Sequence, residues 1–187
     1  MPKSHWLKKN KNPNYMADFV ISDTHFFDPI IIRHTKRGCV DPLTGEFSVF
    51  KDEYAMNRHM IEEWNSVVGP KDTVFHLGDF CSRCTPKQAS VIFNNLNGKI
   101  ILIAGNHDLE TEGLMDILRT LPFKCISEYP LLYGRYILSH KPLKKIGNLI
   151  NIHGHSHGKG SLGIDVSAEI LKYRPISLNC ILNKNAS

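Results

Sequence analysis

Five short motifs in this sequence combine carboxylate, imidazole and amide side chains, and each follows an apolar run. The motifs are Asp23-Thr24-His25, Gly78-Asp79, Gly105-Asn106-His107-Asp108, Ser139-His140 and Gly154-His155-Ser156-His157. Mixed oxygen and nitrogen ligands suit first-row divalent metals, whereas structural zinc sites use all-thiolate sets. The motifs therefore predict a metal centre. Asp79 could bridge two ions there, because each of its carboxylate oxygens can bind one cation.

The elements that must position these motifs are strands. The run Ile100-Ile101-Leu102-Ile103, bounded by Asn97-Gly98 and Gly105, predicts a strand buried on both faces. Four further strands are predicted at 17–22, 73–77, 136–138 and 149–152. Open α/β sheets bind ligands at the carboxyl ends of their strands. Each of these strands ends in one of the motifs, so we expect the motif side chains to converge.

Helices are predicted between the strands. An apolar period of 3.6 residues indicates an amphipathic helix over Phe50–Val68, ended by Gly69-Pro70. Thr85 caps a second helix that begins at Pro86 and runs to about Leu96. The other expectations are an irregular segment over 26–52, a short helix over 112–120, an edge strand over 124–132, a hairpin turn at 133–135, and a last strand and turn over 164–182.

Length and composition indicate a globular protein. A chain of 187 residues with 42% hydrophobic and 22% charged residues predicts a single domain over 1–187, with a basic, loosely ordered tail over 1–15. No apolar run approaches the roughly 20 residues of a transmembrane helix, and the tail lacks the apolar core of a secretory signal. We therefore expect no membrane association.

The cysteines and the net charge add two weaker expectations. Five unevenly spaced cysteines do not form a disulfide framework, which favours a reducing, cytoplasmic location. Cys81 and Cys84 have zinc-knuckle spacing, but no second pair follows. The net charge of +5 leaves a nucleic-acid partner open, although four of the lysines lie in the tail. The oligomeric state is not predicted.

The five motifs, in this order, resemble those of the calcineurin-like metallophosphoesterase superfamily over residues 18–157. A finer resemblance is to its small bacterial and phage-type members. It rests on the segments Glu62–Val68 and Asp72–Phe80 and on Tyr173-Arg174-Pro175. The resemblance implies an α/β fold, a sandwich of two mixed β-sheets flanked by helices, with the site on loops at one edge.

The resemblance also implies roles for the motif residues. One ion would be held by Asp23, His25 and His157, the other by Asn106, His140 and His155, with Asp79 bridging. His107 would face the substrate, paired with Asp108, and these two are the expected catalytic residues. Manganese is the expected metal of this two-ion centre, although iron, zinc, nickel and cobalt suit the same ligands.

The implied reaction is metal-dependent hydrolysis of a phosphoric ester. A hydroxide bridging the two ions would attack phosphorus, and His107 would act as the general acid for the leaving oxygen. A small or cyclic nucleotide-type phosphodiester is the expected substrate, because the chain has no large cap domain. The alternatives are a phosphomonoesterase, including a protein phosphatase, a nuclease acting on strand ends, and a non-enzymatic metal-bound binding scaffold.

Cationic side chains near the motifs are candidates for binding the substrate phosphate. They are Arg33, His34, Arg37 and Arg83. Arginine presents a planar fork that matches phosphate oxygens. The alternative for the cluster at 33–37 is a solvated basic surface.

Overall fold

A computed structural model describes residues 18–144, 146–160 and 162–184. The basic tail predicted over 1–15 lies outside these residues. The strands of the described part are β1 (Asp18–Ile21), β2 (Gly38–Val40), β3 (Phe47–Val49), β4 (Thr73–His76), β5 (Lys99–Ile103), β6 (Cys125–Ser127), β7 (Leu131–Tyr133), β8 (Tyr136–Ser139), β9 (Ile150–His153), β10 (Ile164–Asp165) and β11 (Ile176–Ser177). Its helices are α1 (Pro29–His34), α2 (Glu53–Val67), α3 (Pro86–Asn95), α4 (Asn106–Glu110), α5 (Leu114–Arg119) and α6 (Leu178–Lys184).

The larger sheet has the strand order β11-β1-β4-β5-β6. Strands β1, β4, β5 and β6 are parallel to one another. Strand β11 closes one edge of the sheet and pairs with β1 in antiparallel fashion. Because β1, β4 and β5 run in the same direction, their carboxyl ends lie at the same edge of the sheet. The first three motifs follow these three strands.

The second sheet has the order β10-β9-β8-β7. Strands β8, β9 and β10 are parallel, and β7 pairs with β8 in antiparallel fashion through the predicted hairpin turn. The parallel pairing of β8 with β9 brings the two remaining motifs to one edge of this sheet. A third, two-stranded sheet pairs β2 with β3.

The two main sheets pack face to face. Val20, Leu77 and Ile103 from the larger sheet form one buried cluster with Leu138 and Ile152 from the second sheet. The predicted two-sheet mixed sandwich is therefore confirmed.

Helices cover the opposite face of the larger sheet. Ile21 and Leu102 point to this side and pack in a second buried cluster with Met60 and Trp64 of α2 and Ile92 of α3. Side chains alternate between the two faces of a strand, so the larger sheet is apolar on both sides.

Four expectations about elements need correction. The segment over 26–52 contains α1 and the β2–β3 hairpin. The strand predicted over 124–132 is two strands, β6 and β7, in different sheets. The last segment ends in α6 after β11. Asn106, His107 and Asp108, expected only as part of a motif, lie in α4.

Among the described helices, none has the length and apolarity needed to cross a bilayer.

Candidate metal centre

Backbone hydrogen bonds join the first two motif loops. The pairing of β1 with β4 continues past both strands, since the amide of Asp23 donates to the Gly78 carbonyl at 2.9 Å and that of His25 to the Asp79 carbonyl at 2.9 Å. The amide of Gly154 donates to the His140 carbonyl at 3.0 Å and joins the last two motifs in the same way. The motif side chains are thus placed by backbone pairing rather than by free loops.

The first cluster of potential ligands contains Asp23, His25 and His157, whose ligand atoms lie within 4.8 Å of one another. The Nε2 atoms of His25 and His157 lie 3.9 and 3.7 Å from Asp23 Oδ1. Their Nδ1 atoms are held elsewhere: that of His25 lies 3.3 Å from Ser82 Oγ, and that of His157 donates to Glu169 Oε1 at 2.5 Å. Both Nε2 atoms are therefore left to face Asp23.

The second cluster contains Asp23, Asp79 and His140. Nδ1 of His140 donates to the Leu77 carbonyl at 2.8 Å, and its Nε2 lies 2.9 Å from Asn106 Oδ1. The exposed ring of His155 has its centroid 5.1 Å from that of His140. The structure therefore brings Asn106 and His155 to the second cluster, on the side of His140.

Asp79, a member of the second cluster, also faces the first. Its Oδ2 is 3.5 Å from His25 Nε2 and 3.4 Å from His140 Nε2. Its Oδ1 instead accepts the backbone N–H of His107 at 2.9 Å. We expected each oxygen to bind one cation; in the structure a single oxygen, Oδ2, faces both clusters.

The donor atoms fit divalent cations. Asp23 Oδ1 and His25 Nε2 are buried and have no hydrogen-bond partner among the described residues, an arrangement that costs free energy unless another group satisfies them. In a neutral His140 ring that donates through Nδ1, Nε2 carries a lone pair, which faces the oxygens of Asn106 and Asp79. Lone pairs that converge in this way are satisfied by a cation.

The backbone at the centre adopts a conformation that non-glycine residues rarely use. Asp23, His25, Asp79, His155 and His157 all have positive φ, between 48° and 66°. Such conformations cost of the order of 1–3 kcal/mol each and persist where the surroundings enforce them. Here they point the side chains of consecutive strand ends into one volume.

Two glycines allow the close approach of backbone to the carboxylates. A Cβ at Gly154 would overlap Asp23 Oδ2 and Ser22 Oγ, and one at Gly105 would overlap Asp79 Oδ1 and lie 2.5 Å from the Asp79 nitrogen. Any side chain at these positions would displace a carboxylate of the clusters.

Burial dominates the protonation of the cluster residues. It raises the pKa of Asp79 to about 7, with help from the neighbouring charge of Asp23. It lowers the pKa values of His25, His140 and His155, which favours the neutral imidazole that a metal requires. Burial opposes the charge of His157, but the hydrogen bond to Glu169 and the negative charges of Asp23 and Glu169 together outweigh it and raise the pKa of His157.

The expected pairing of Asp108 with the His107 ring is wrong for this structure. The fully buried Asp108 carboxylate accepts the backbone N–H groups of Gly105 at 2.8 Å, Asp79 at 2.7 Å and Phe80 at 3.1 Å. Adjacent residues on a helix point in different directions, so Asp108 caps α4 from within. His107 is exposed, and its ring centroid lies 5.1 Å from that of His25.

A cavity of about 280 Å³ lies over the clusters. It is lined by His25, Ile31, His34, Thr35, Asp79, His107, His155, Ser156, His157 and Lys159. Of the four residues expected to contact phosphate, His34 lines this cavity. Arg33 and Arg83 are exposed but are not part of its lining.

The expectation for Arg37 is wrong. Its side chain is 0% exposed, and its guanidinium donates to the Thr24 carbonyl at 2.6 Å and to the Asp23 carbonyl. It also donates to Glu169 Oε2 at 2.8 Å. Arg37 therefore supports the first motif from beneath and does not face solvent or substrate.

Two residues of the site were missed from the sequence. Lys159 lines the cavity, and its position directly after the last motif could have indicated it. Glu169 contacts His157 and Arg37, but it lies outside every motif. The hydrogen bond from His157 and the charge of Arg37 outweigh burial and hold the pKa of Glu169 at about 2, so it is a carboxylate.

The fold and these clusters define a two-sheet sandwich with a candidate metal centre at one edge. A sequence model of the calcineurin-like phosphoesterase family matches residues 19–178. The chain therefore belongs to the calcineurin-like phosphoesterase family and is a metal-dependent phosphoric ester hydrolase.

Two individual proteins are similar to this chain. One is the uncharacterized protein MJ1445 of Methanocaldococcus jannaschii, which is 31% identical over 183 residues, covering 88% of each chain. The other is a crystal structure of the protein of unknown function AQ665 from Aquifex aeolicus. It has a TM-score of 0.62 and 24% identity, and the match covers 90% of this chain and 99% of that one. This second likeness supports the fold alone.

Proposed function

We propose that this phosphoesterase is a phosphodiesterase that acts on small or cyclic nucleotide-type phosphodiesters. The observation that carries the proposal is a second cavity beside the metal centre, of about 260 Å³. A diester has two organic substituents on one phosphate, whereas a monoester has one. Two cavities next to one metal centre suit the diester.

The second cavity adjoins the clusters through Asn106 and His140. Its walls include the apolar side chains of Ile103, Leu109 and Leu143. The first cavity instead is lined mainly by imidazoles and by Lys159. This contrast supports binding of the phosphate and one substituent in the first cavity, and of the less polar substituent in the second.

We propose that one ion is held by Asp23, His25 and His157 and the other by Asn106, His140 and His155, with Asp79 shared. The bound ions would supply charge neutralisation of the phosphate and a water of lowered pKa as the nucleophile. Manganese is our preferred metal, because the mixed carboxylate, amide and imidazole set suits it.

His107 would donate the proton to the leaving oxygen. Its ring is exposed in the first cavity and adjoins that of His25, and its backbone amide donates to Asp79 Oδ1. The shared carboxylate and the proposed acid are therefore held at a fixed relative position. In the same cavity Lys159 and His34 would contact the non-bridging phosphate oxygens.

The test is hydrolysis of bis-p-nitrophenyl phosphate against p-nitrophenyl phosphate, with added Mn²⁺ and with the Asp79→Asn protein as the blank. The proposal expects faster release of p-nitrophenol from the diester. Preference for the monoester would indicate a phosphatase. Bound metal without hydrolysis of either ester would indicate a binding scaffold.

A further inference from the structure

A buried ion pair lies directly beneath the first metal-ligand cluster. The guanidinium of Arg37, 0% exposed, donates to Glu169 Oε2 at 2.8 Å. The same guanidinium donates to the backbone carbonyls of Asp23 and Thr24. Arg37 thus holds the backbone of the Asp23-Thr24-His25 motif from below.

The other oxygen of Glu169 holds a metal-facing histidine. Oε1 accepts a hydrogen bond from His157 Nδ1 at 2.5 Å, and this leaves His157 Nε2 directed at Asp23 Oδ1, 3.7 Å away. One carboxylate therefore connects two motifs that lie more than a hundred residues apart in the chain. Neither residue of the ion pair belongs to a motif.

The backbone of the first cluster is strained and needs the support of the Arg37–Glu169 pair. Asp23, His25 and His157 all have positive φ, a conformation that persists only where neighbouring contacts enforce it. The contacts of Arg37 fix the first motif, and the contact of Glu169 fixes the ring of His157. A carboxylate that holds the second nitrogen of a ligating imidazole sets the tautomer and the ring orientation.

We propose that Glu169 is a positioning residue for the ion of the first cluster and that Arg37 is its structural partner. The proposal rests on the two-ion centre of the proposed function. Loss of Glu169 weakens the ion that His157 would hold and leaves the other in place. Asn106 and His140 make their contacts without the Arg37–Glu169 pair, and Asp23, which belongs to both clusters, keeps its hydrogen bond from Arg37. Replacing a residue that holds a metal ligand in place, without touching the metal itself, typically weakens metal binding about 10- to 100-fold.

The test is Mn²⁺ binding by titration calorimetry to the wild type, to Glu169→Gln and to the control Glu62→Gln, which changes an exposed carboxylate on α2. We expect two tight sites in the wild type and the control. In Glu169→Gln we expect one unchanged site and one weakened about 10- to 100-fold, with diester hydrolysis restored by raising Mn²⁺.

The effect of Glu169→Gln on folding needs its own control, because this substitution leaves Arg37 buried without its counter-charge. The double variant Arg37→Met plus Glu169→Gln removes both charges and should also bind the ion of the first cluster more weakly. Wild-type affinity for both ions in either variant would overturn the proposal. Equal loss of both ions in a folded Glu169→Gln protein would also overturn it. A wild type that binds no metal would instead refute the proposed function.

Discussion

At the scale of single residues, the neighbours Asn106, His107 and Asp108 take three different positions after β5. Asn106 Oδ1 lies 2.9 Å from His140 Nε2, and His107 lines the first cavity. Asp108 accepts three backbone N–H groups and so fixes the turn that presents His107. Arg37 also acts on the backbone, because its buried guanidinium donates to the carbonyls of Asp23 and Thr24.

Replacing His107 tests its role as the proton donor. We expect His107→Ala to lower kcat for a nucleotide diester, whose alkoxide leaving group needs a proton, by about 10²- to 10⁴-fold, the usual contribution of a general acid, with Mn²⁺ binding retained. The effect should be smaller for a substrate whose leaving group needs no proton. Loss of a metal ion in this variant would contradict the assignment.

His76 predicts a pH dependence of stability. Nε2 of the fully buried ring lies 3.0 Å from Thr24 Oγ1, and Nδ1 has no hydrogen-bond partner in the part of the chain that the structure describes. Burial lowers the pKa of His76 from 6.5 to about 3, with a smaller contribution from His140. Between pH 6.5 and about pH 3, His76 is therefore protonated in the unfolded chain and neutral in the folded protein. Stability therefore falls as the pH drops from about 6.5 towards 3.

The measurement is urea unfolding of the metal-free wild type and of His76→Gln between pH 4.5 and 7.5. Below pH 6.5 the wild type should lose about 1.4 kcal/mol per pH unit more than the variant. The metal ligands titrate in both proteins, so their effect cancels in the difference. Parallel curves would show that His76 titrates normally in the folded state.

At the scale of elements, hydrophobic periodicity predicted the long elements well. The helix expected over 50–68 is α2, and the helix expected from Pro86 with Thr85 as its cap is α3, where Thr85 and Gln88 form a capping box. The predicted strand over 124–132 failed because apolar character does not reveal which sheet a strand joins. Cys125–Ser127 pairs with β5, whereas Leu131–Tyr133 pairs with β8.

The loop after β9 depends on Gly154. We expect Gly154→Ala to abolish tight Mn²⁺ binding and to lower diester hydrolysis at least 100-fold, because the added methyl group would overlap the Asp23 carboxylate. Overpacking of this kind costs about 1–3 kcal/mol of stability, which urea unfolding would measure. The control is Gly69→Ala, whose added methyl group would meet only the Asp72 side chain. Normal metal binding by Gly154→Ala would show that the loop can move aside.

At the scale of the whole molecule, the metal centre lies where the two sheets meet. Asp23, Asp79 and Asn106 follow strands of the larger sheet, whereas His140 and His157 follow strands of the second sheet. The sandwich was implied by the resemblance of the ordered motifs to the calcineurin-like superfamily. Their mutual distances could not be predicted, since they depend on how the two sheets pack.

This placement predicts that metal binding stabilises the entire fold. Unfolding separates the ligands, so the native state binds the ions far more tightly than the unfolded chain. Without metal, burial next to Asp23 raises the pKa of Asp79 to about 7, and an ion would relieve this repulsion. At a free Mn²⁺ concentration 100 times Kd, one site adds about 2.7 kcal/mol. For a chain of this size that corresponds to a rise in Tm of roughly 5–10 °C.

Thermal unfolding of the wild type in EDTA and in increasing Mn²⁺ measures this coupling, with Asp79→Asn as the matched variant. The wild type should gain Tm with the logarithm of Mn²⁺ concentration above Kd, and Asp79→Asn should gain much less. The variant should also be at least as stable as the wild type in EDTA near pH 8, because it removes a buried charge beside Asp23. An unchanged wild-type Tm would mean that the folded protein binds Mn²⁺ no more tightly than the unfolded chain, and it would contradict this prediction.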